Sequence, residues 1–277
     1  MIEADVSSAP LGCRERSPLP LLAAAAQVPL YADPGCDPQR VLDQVCSWAA
    51  QLRARVAPDA SPPARLRLLN HFFFGELGFA GARGDFASVD NSFLHRVIER
   101  RRGIPIALSL LYIELGKAAG LRLAGVSFPG HFLVRLSLNA GTVFIDVFGG
   151  GVSLTEDELR ERLRAALPET PHRPLAPHLR AASEREILAR LLRNLKAIHW
   201  QAQQWPAALE VVNRLVGLLP EAAQERLDRA SLYERLECPR AAVADLVAYL
   251  SLCPSGRGTA EVRRHLALLR QAASRLN

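Results

Sequence analysis

Lysine, paired cysteines and long apolar runs are all scarce in this 277-residue chain, and each scarcity excludes something. Lys117 and Lys196 are the only lysines among 34 basic residues, so the formal charge of +6 is an arginine charge. Those arginines are spread along helical patterns, without clustering and without interleaved aromatics. A nucleic-acid-binding face needs both features, so none is expected. The densest run, "ERRRG" at 99–103, sits at a helix end, where cations suit the helix dipole. The five cysteines (Cys13, Cys36, Cys46, Cys238, Cys253) are odd in number and widely spaced, with no C-x-x-C. That fits neither a disulfide framework nor a zinc site, and reduced thiols in the cytoplasm are the expectation. No metal and no other cofactor is expected. Ligand-type side chains do not pair at binding spacing on one element, and "GGG" at 149–151 lacks the Lys-Ser/Thr of a phosphate loop.

An apolar stretch long enough to cross a bilayer is missing too, so no membrane partner is expected. The nearest candidate is "SPLPLLAAAAQVPLYAD" at 17–33, behind Arg14 and Arg16. Pro18, Pro20, Gln27 and Pro29 interrupt it, and Glu3 and Asp5 precede the arginines, unlike a signal peptide. It reads as a proline-bounded helical segment after a flexible tail over 1–18.

What is present is helical patterning around one β interlude, which predicts an α+β fold. Asp37 and Pro38 start a helix whose apolar stripe is Val41, Leu42, Val45, Trp48 and Leu52. "APDASPP" at 57–63 breaks it, and "ARLRLLNHFFFGELGF" resumes the pattern up to Gly78. Asn91 or Ser92 is placed to cap "FLHRVIERR", which Gly103 would end. The next helix spans 104 to 119, with Leu108, Leu111 and Leu115 on its buried stripe. Beyond Gly120 the period drops towards two: "RLAGVSF", "HFLVRLSL" and "TVFIDVF" read as three short strands, the last two a hairpin. In "SLTEDELRERLRAAL", Ser153 and Glu156 stand at capping-box spacing. The proline-rich "PETPHRPLAPH", with His172 and His178 expected to be solvated, marks the best boundary. The predicted domains are 19–167, a linker at 168–182, and 183–277.

The last segment is helical throughout and repeats. "QQWPAALEVVNRLVGLLPE" at 203–221 matches "LECPRAAVADLVAYLSLCPS" at 236–255, with Pro206 answering Pro239 and Pro220 answering Pro254. A period near 34 residues built from helix pairs resembles the tetratricopeptide repeat, which implies a concave surface for a protein or peptide partner.

The order of helix start, then His131 in "FPGHFLVRL", then Asp146 in "FIDVF" resembles the transglutaminase and papain-like cysteine enzymes. In that family a cysteine at a helix N-terminus is ionised by helix amides and an imidazolium, and the acid orients the histidine. The resemblance puts the histidine role on His131, the acid role on Asp146 and the nucleophile role on Pro105. Proline has neither a side-chain proton nor an amide hydrogen to give an oxyanion. Ser109 lies about one turn further in. Ser109, Asn91 and Phe128 are candidates for lining a groove around the pair. The hairpin register decides the pair's geometry: a two-residue turn at Asn139-Ala140 puts both side chains on one face, and a three-residue turn sets them apart. "FFFGELGFAG", "DNSFLHRVIERRRGIPIALSLLYIELGKAAGL", "GVSFPGHFLVR" and "FIDVFGGG" resemble the SirB-type branch of bacterial proteins, over roughly residues 65–151. That branch itself reads "RRGIPI" where active enzymes have cysteine. The resemblance implies a transglutaminase-like core without its thiol, a tetratricopeptide-like tail and a regulatory, protein-binding role. The alternative is a hydrolase or transferase using His131, oriented by Asp146, as a general base.

Overall fold

The computed structural model describes residues 20–84, 87–169, 173–256 and 258–275. The expected tail at 1–18, Cys13 and His172 lie outside the described residues. The chain divides into two compact units between Leu188 and Ala189.

In the first unit, α1 (Pro20–Gln27) precedes α2 (Pro38–Arg55). Asp37 accepts a hydrogen bond from the Gln39 amide at 2.9 Å, and Pro38 fills the first helical position, whose missing amide would have had no partner. The buried stripe is Val41, Leu42, Val45, Trp48 and Leu52, as the spacing predicts. Next, α3 (Pro62–Asn70) runs into a wider π-type turn over His71–Glu76, and Gly78 ends the segment at φ +71°. A two-residue strand β1 (Ala80–Gly81), then α4 (Leu94–Arg100), β2 (Arg102–Gly103) and α5 (Pro105–Ala118) follow.

Around α4 the sequence expectations need correction. Neither Asn91 nor Ser92 caps it: the N-cap is Phe93, with no side-chain bond, and the Asn91 carbonyl accepts from the Ile104 amide instead. Arg101, at φ +57°, ends the helix two residues before Gly103. Its guanidinium lies over Trp48 at 4.6 Å and Phe79 at 5.0 Å, so ring faces balance the cation in addition to the helix end. Gly103 belongs to β2, which pairs in parallel with β1. A Cβ at Gly103 would come within 2.9 Å of a Val97 methyl. That close approach, not helix termination, is what requires glycine there.

Helix α5 is buried on almost every side, from Ile106 to Ile113, because α1, α2, α3, α4 and the sheet all pack on it. The sheet is antiparallel with order β3 (Leu123–Val126), β4 (Leu133–Leu138), β5 (Gly141–Asp146), β6 (Val152–Leu154). The three expected strands are present but shorter, and β6 is an addition. The helix α6 (Glu156–Ala166) is capped by Thr155 and Glu158 rather than by Ser153 and Glu156, since Ser153 is consumed in β6 opposite Ile145. One sheet face meets α5, where the absence of a side chain at Gly116 admits Leu123. On the other face Val126, Phe128 and Leu133 pack with Leu159 and Leu163 of α6 and with Leu175 from the proline-rich segment. The division at 188/189 therefore falls after that segment, whose Leu175 is core.

The second unit takes in most of α7 (Glu184–Gln201), then α8 (Trp205–Leu218), α9 (Ala223–Arg235), α10 (Pro239–Leu252) and α11 (Thr259–Arg275). The repeat is visible in the backbone. Gln203 and Glu237 both turn left-handed, at φ +55° and +58°, and Leu219 and Cys253 end their helices with nearly identical dihedrals. Ala208, Val212, Val216 and Leu232 form one core, and Ala230, Ala242, Leu246 and Leu266 a second. Buried Glu225 takes Arg193 and Lys196, each at 2.7 Å, and buried Asp245 takes Arg229 at 2.6 Å. Among the described residues no helix is long and apolar enough to cross a membrane.

Candidate functional site

The turn before β4 delivers His131: Gly130 sits at φ +67°, and the His131 amide donates to the Phe128 carbonyl at 3.1 Å. Asp146 is the last residue of β5. The hairpin uses the two-residue turn, with Leu138 opposite Gly141 and Val134 opposite Ile145. Continued in that register, Leu133 faces Asp146 and His131 stands diagonal to it. His131 Nε2 is 2.8 Å from Asp146 Oδ1, with the side chains 19% and 5% exposed.

Three donors converge on Asp146. Besides His131, the Gly149 amide donates to Oδ1 at 2.9 Å and Arg162 Nη1 on α6 donates to Oδ2 at 2.8 Å. Burial works against the charge, but the His131 bond and charge, the Gly149 amide and Arg162 outweigh it and hold the carboxyl far below its ordinary range. The glycine turn itself is anchored: the Gly151 amide donates to the Asp146 carbonyl at 2.8 Å, and Asn70 Nδ2 donates to the Gly151 carbonyl at 3.4 Å.

Packing carries the site towards the start of α5. The His131 ring meets Phe148 edge-on at 6.0 Å. Phe148 in turn lies where a Cβ on Gly81 would be, 2.6 Å away, and Gly81 pairs with Gly103, two residues before Pro105. Pro105 is the first residue of α5, and the N-cap Ile104 makes no side-chain bond. This helix start presents no thiol. None of the described cysteines forms a disulfide, and Cys36 lies far from the activated condition: burial, then Asp33 and Asp37, push its thiol up against the weaker pull of Arg96.

The groove candidates do not line an open groove. Ser109, Asn91 and Phe128 are each fully buried, the first two around the enclosed helix α5 and the third in the core under α6. Sequence reading missed Arg162, Gly149, Asn70 and Tyr112. Arg162 had one weak signal, a place one turn after Glu158 on a capped helix, but nothing local aims it at Asp146. In the second unit an open cavity of about 300 Å³ is lined by Lys196, Ala197, Trp200, Gln201 and Asp228.

The family model for the transglutaminase-like superfamily matches residues 39–193. The chain belongs to that superfamily, in its SirB-type branch. A tetratricopeptide-repeat model matches residues 195–272. The SirB-type chain is 37% identical over 250 residues to a UPF0162 protein of Xylella fastidiosa, covering 90% of this chain and 89% of that one. It is 33% identical over 251 residues to a UPF0162 protein of Pseudomonas aeruginosa, covering 90% of each. Protein SirB1 of Salmonella typhimurium is 27% identical over 220 residues, 78% of this chain and 80% of that one. No solved structure matches the chain. The SirB-type assignment accounts for the α+β core and for the helix pairs of the tail together.

Proposed function

We propose that this SirB-type chain is a non-catalytic, regulatory protein-binding module of the cytoplasm. Its core recognises a peptide or small polar ligand at His131 and Asp146, and its helical-repeat tail contacts a partner protein. The observation that carries the reading is Pro105 at the head of α5, where covalent chemistry of this superfamily would need a thiol. Tetratricopeptide repeats generally mediate protein interactions, and the cavity beside Trp200 is a surface suited to that role. The thiols at 36, 46, 238 and 253, none of them in a disulfide, support a reducing compartment.

A second reading is supported by one observation, the 2.8 Å bond that orients His131: a general base acting on water or a substrate hydroxyl, without a covalent intermediate.

The test keeps the chain whole, because the first turn of α7 belongs to the core: Ile187 lies 3.0 Å from where a Gly125 Cβ would be. A photo-crosslinking residue at Gln201, compared in cells with one at exposed Arg160 on α6, is expected to trap a discrete protein adduct from 201 alone. If both positions give the same background, the tail has no partner role.

A further inference from the structure

The open cavity of the tail carries a deeper inference, one that rests on the reading of the tail as a partner-binding surface. Its lining comes from one face of α7 (Lys196, Ala197, Trp200 and Gln201) and from Asp228 on α9, all within the second unit. The two charged residues of that lining, Lys196 and Asp228, are bonded to each other at 2.5 Å. The same ammonium reaches buried Glu225 at 2.7 Å, and Arg193 takes the other oxygen of that carboxylate, also at 2.7 Å. Two cations and two carboxylates thus balance beside the cavity. A ligand anion approaching Lys196 would meet Asp228 as well, and a ligand cation approaching Asp228 would meet Lys196. Either would also give up water on entering. An uncharged group incurs neither cost. The remaining lining suits it: the Ala197 methyl, the Trp200 ring, the methylene stem of Lys196 and the neutral Gln201 amide.

The equivalent place in the next repeat is built differently. There, 33 residues on, Arg229 answers Lys196 and Tyr233 answers Trp200. Arg229 pairs with Asp245 on α10 at 2.6 Å and lies over the Tyr233 ring at 5.9 Å. At α7 the carboxylates instead reach Lys196 from α9, and Trp200 lines a cavity. Arg235 lies 5.7 Å from the Trp200 ring centre but stacks more closely on Trp205, at 4.4 Å. At about 300 Å³ the cavity is at the small end for ligand sites, the size for one side chain rather than a whole cofactor.

We propose that this cavity anchors one uncharged apolar side chain, aliphatic or aromatic, of a partner polypeptide, and that it takes neither an acidic nor a basic group.

The experiment uses the full chain carrying Gln201→Cys, equilibrated in excess mercaptoethanol with disulfides bearing a phenylethyl, a carboxyethyl or an aminoethyl group. Mass spectrometry with peptide mapping reads how much of each group position 201 retains. Arg160→Cys, at an exposed site on α6, corrects for the intrinsic exchange of each disulfide. Position 201 is expected to hold the phenylethyl group about tenfold more strongly than either charged group, the preference that burying roughly half of a phenyl surface gives. Ala197→Leu fills the cavity from an exposed position, so it should bring the preference down to that at 160 with native circular dichroism. A preference for the carboxyethyl or the aminoethyl group overturns the ligand class. No preference above that at 160 overturns the cavity as a site. The photo-crosslinker at 201 then separates this inference from the reading beneath it. Its partner adduct is expected to be lost in Ala197→Leu. An adduct that Ala197→Leu leaves unchanged overturns the cavity as the anchor while the tail keeps its partner role. An adduct with a second copy of this chain overturns the separate partner. No adduct in either chain overturns the partner reading itself, and this inference with it.

Discussion

Tyr112 donates its hydroxyl to Asn70 Oδ1 across 2.6 Å, and this bond ties the central helix α5 to the turn that frames the site. Tyr112 is fully buried, and Asn70 donates its amide to the Gly151 carbonyl, two bonds away from Asp146. The pair is thus a support behind the His131–Asp146 bond. Tyr112→Phe leaves Asn70 Oδ1 without its donor and should cost about 1–3 kcal/mol. Urea unfolding measures it; a midpoint equal to the wild type's would remove the pair's structural role.

The glycine at 151 is required twice over. Its φ is +80°, and a Cβ there would lie 2.5 Å from a Phe74 ring carbon and 2.8 Å from Asn70 Oδ1. Left-handed backbone alone costs a side-chain-bearing residue about 1–2 kcal/mol. Gly151→Ala should therefore destabilise by about 3 kcal/mol once the clash is added. Gly84→Ala, with open space around it, is the control and should change little. Equal midpoints for the two variants would contradict the anchored turn.

The stability contributed by Asp146 has a defined pH window. Its carboxyl is depressed in the fold, so the contribution is fully present above the unfolded value of about 4 and fades as pH falls below that towards the folded value. Asp146→Asn should cost on the order of 2 kcal/mol at neutral pH, with the gap from wild type closing in acid. Thermal unfolding of both proteins across the acid range measures it, and a gap that widens in acid would have the wrong sign.

Pro105→Cys is expected to rebuild a reactive thiol. The helix start carries a partial positive charge and an uncapped N-terminus, which lower a thiol below its free value of about 8.5. Alkylation by iodoacetamide should be faster at position 105 of this variant than at Cys36, whose thiol is pushed up. Adding His131→Ala should slow it. A thiol at position 105 that alkylates no faster than Cys36, with or without His131, would show that the packing path through Phe148 does not bring the imidazole into play.

Features set by neighbours along the chain were legible beforehand. The stripe of α2, its Asp37-Pro38 start and the hairpin all follow from local rules, since capping and periodicity involve residues a few positions apart. The 34-residue recurrence was readable for the same reason, and Gln203 and Glu237 repeat it in backbone geometry. Misplaced features all depend on distant partners. Ser153 matched a capping box in spacing but was taken by β6, and the Asn91 carbonyl was drawn to Ile104 rather than to α4. Leu175, in a segment whose prolines suggest a linker, found apolar company in α6.

The amino-acid order by itself determined that proline heads α5 and that a histidine and an aspartate follow on a hairpin, because identity and order need no fold. Whether those two side chains meet was decided by the register of that hairpin, which order along the chain left open between a two- and a three-residue turn and which the fold shows to be the two-residue one. Arg162 and Gly149 joined Asp146 only because α6 folds back over the sheet and the glycine turn closes beneath it. Charge pairing across such distances leaves no periodic trace in a sequence, since it requires proximity in space and not along the chain.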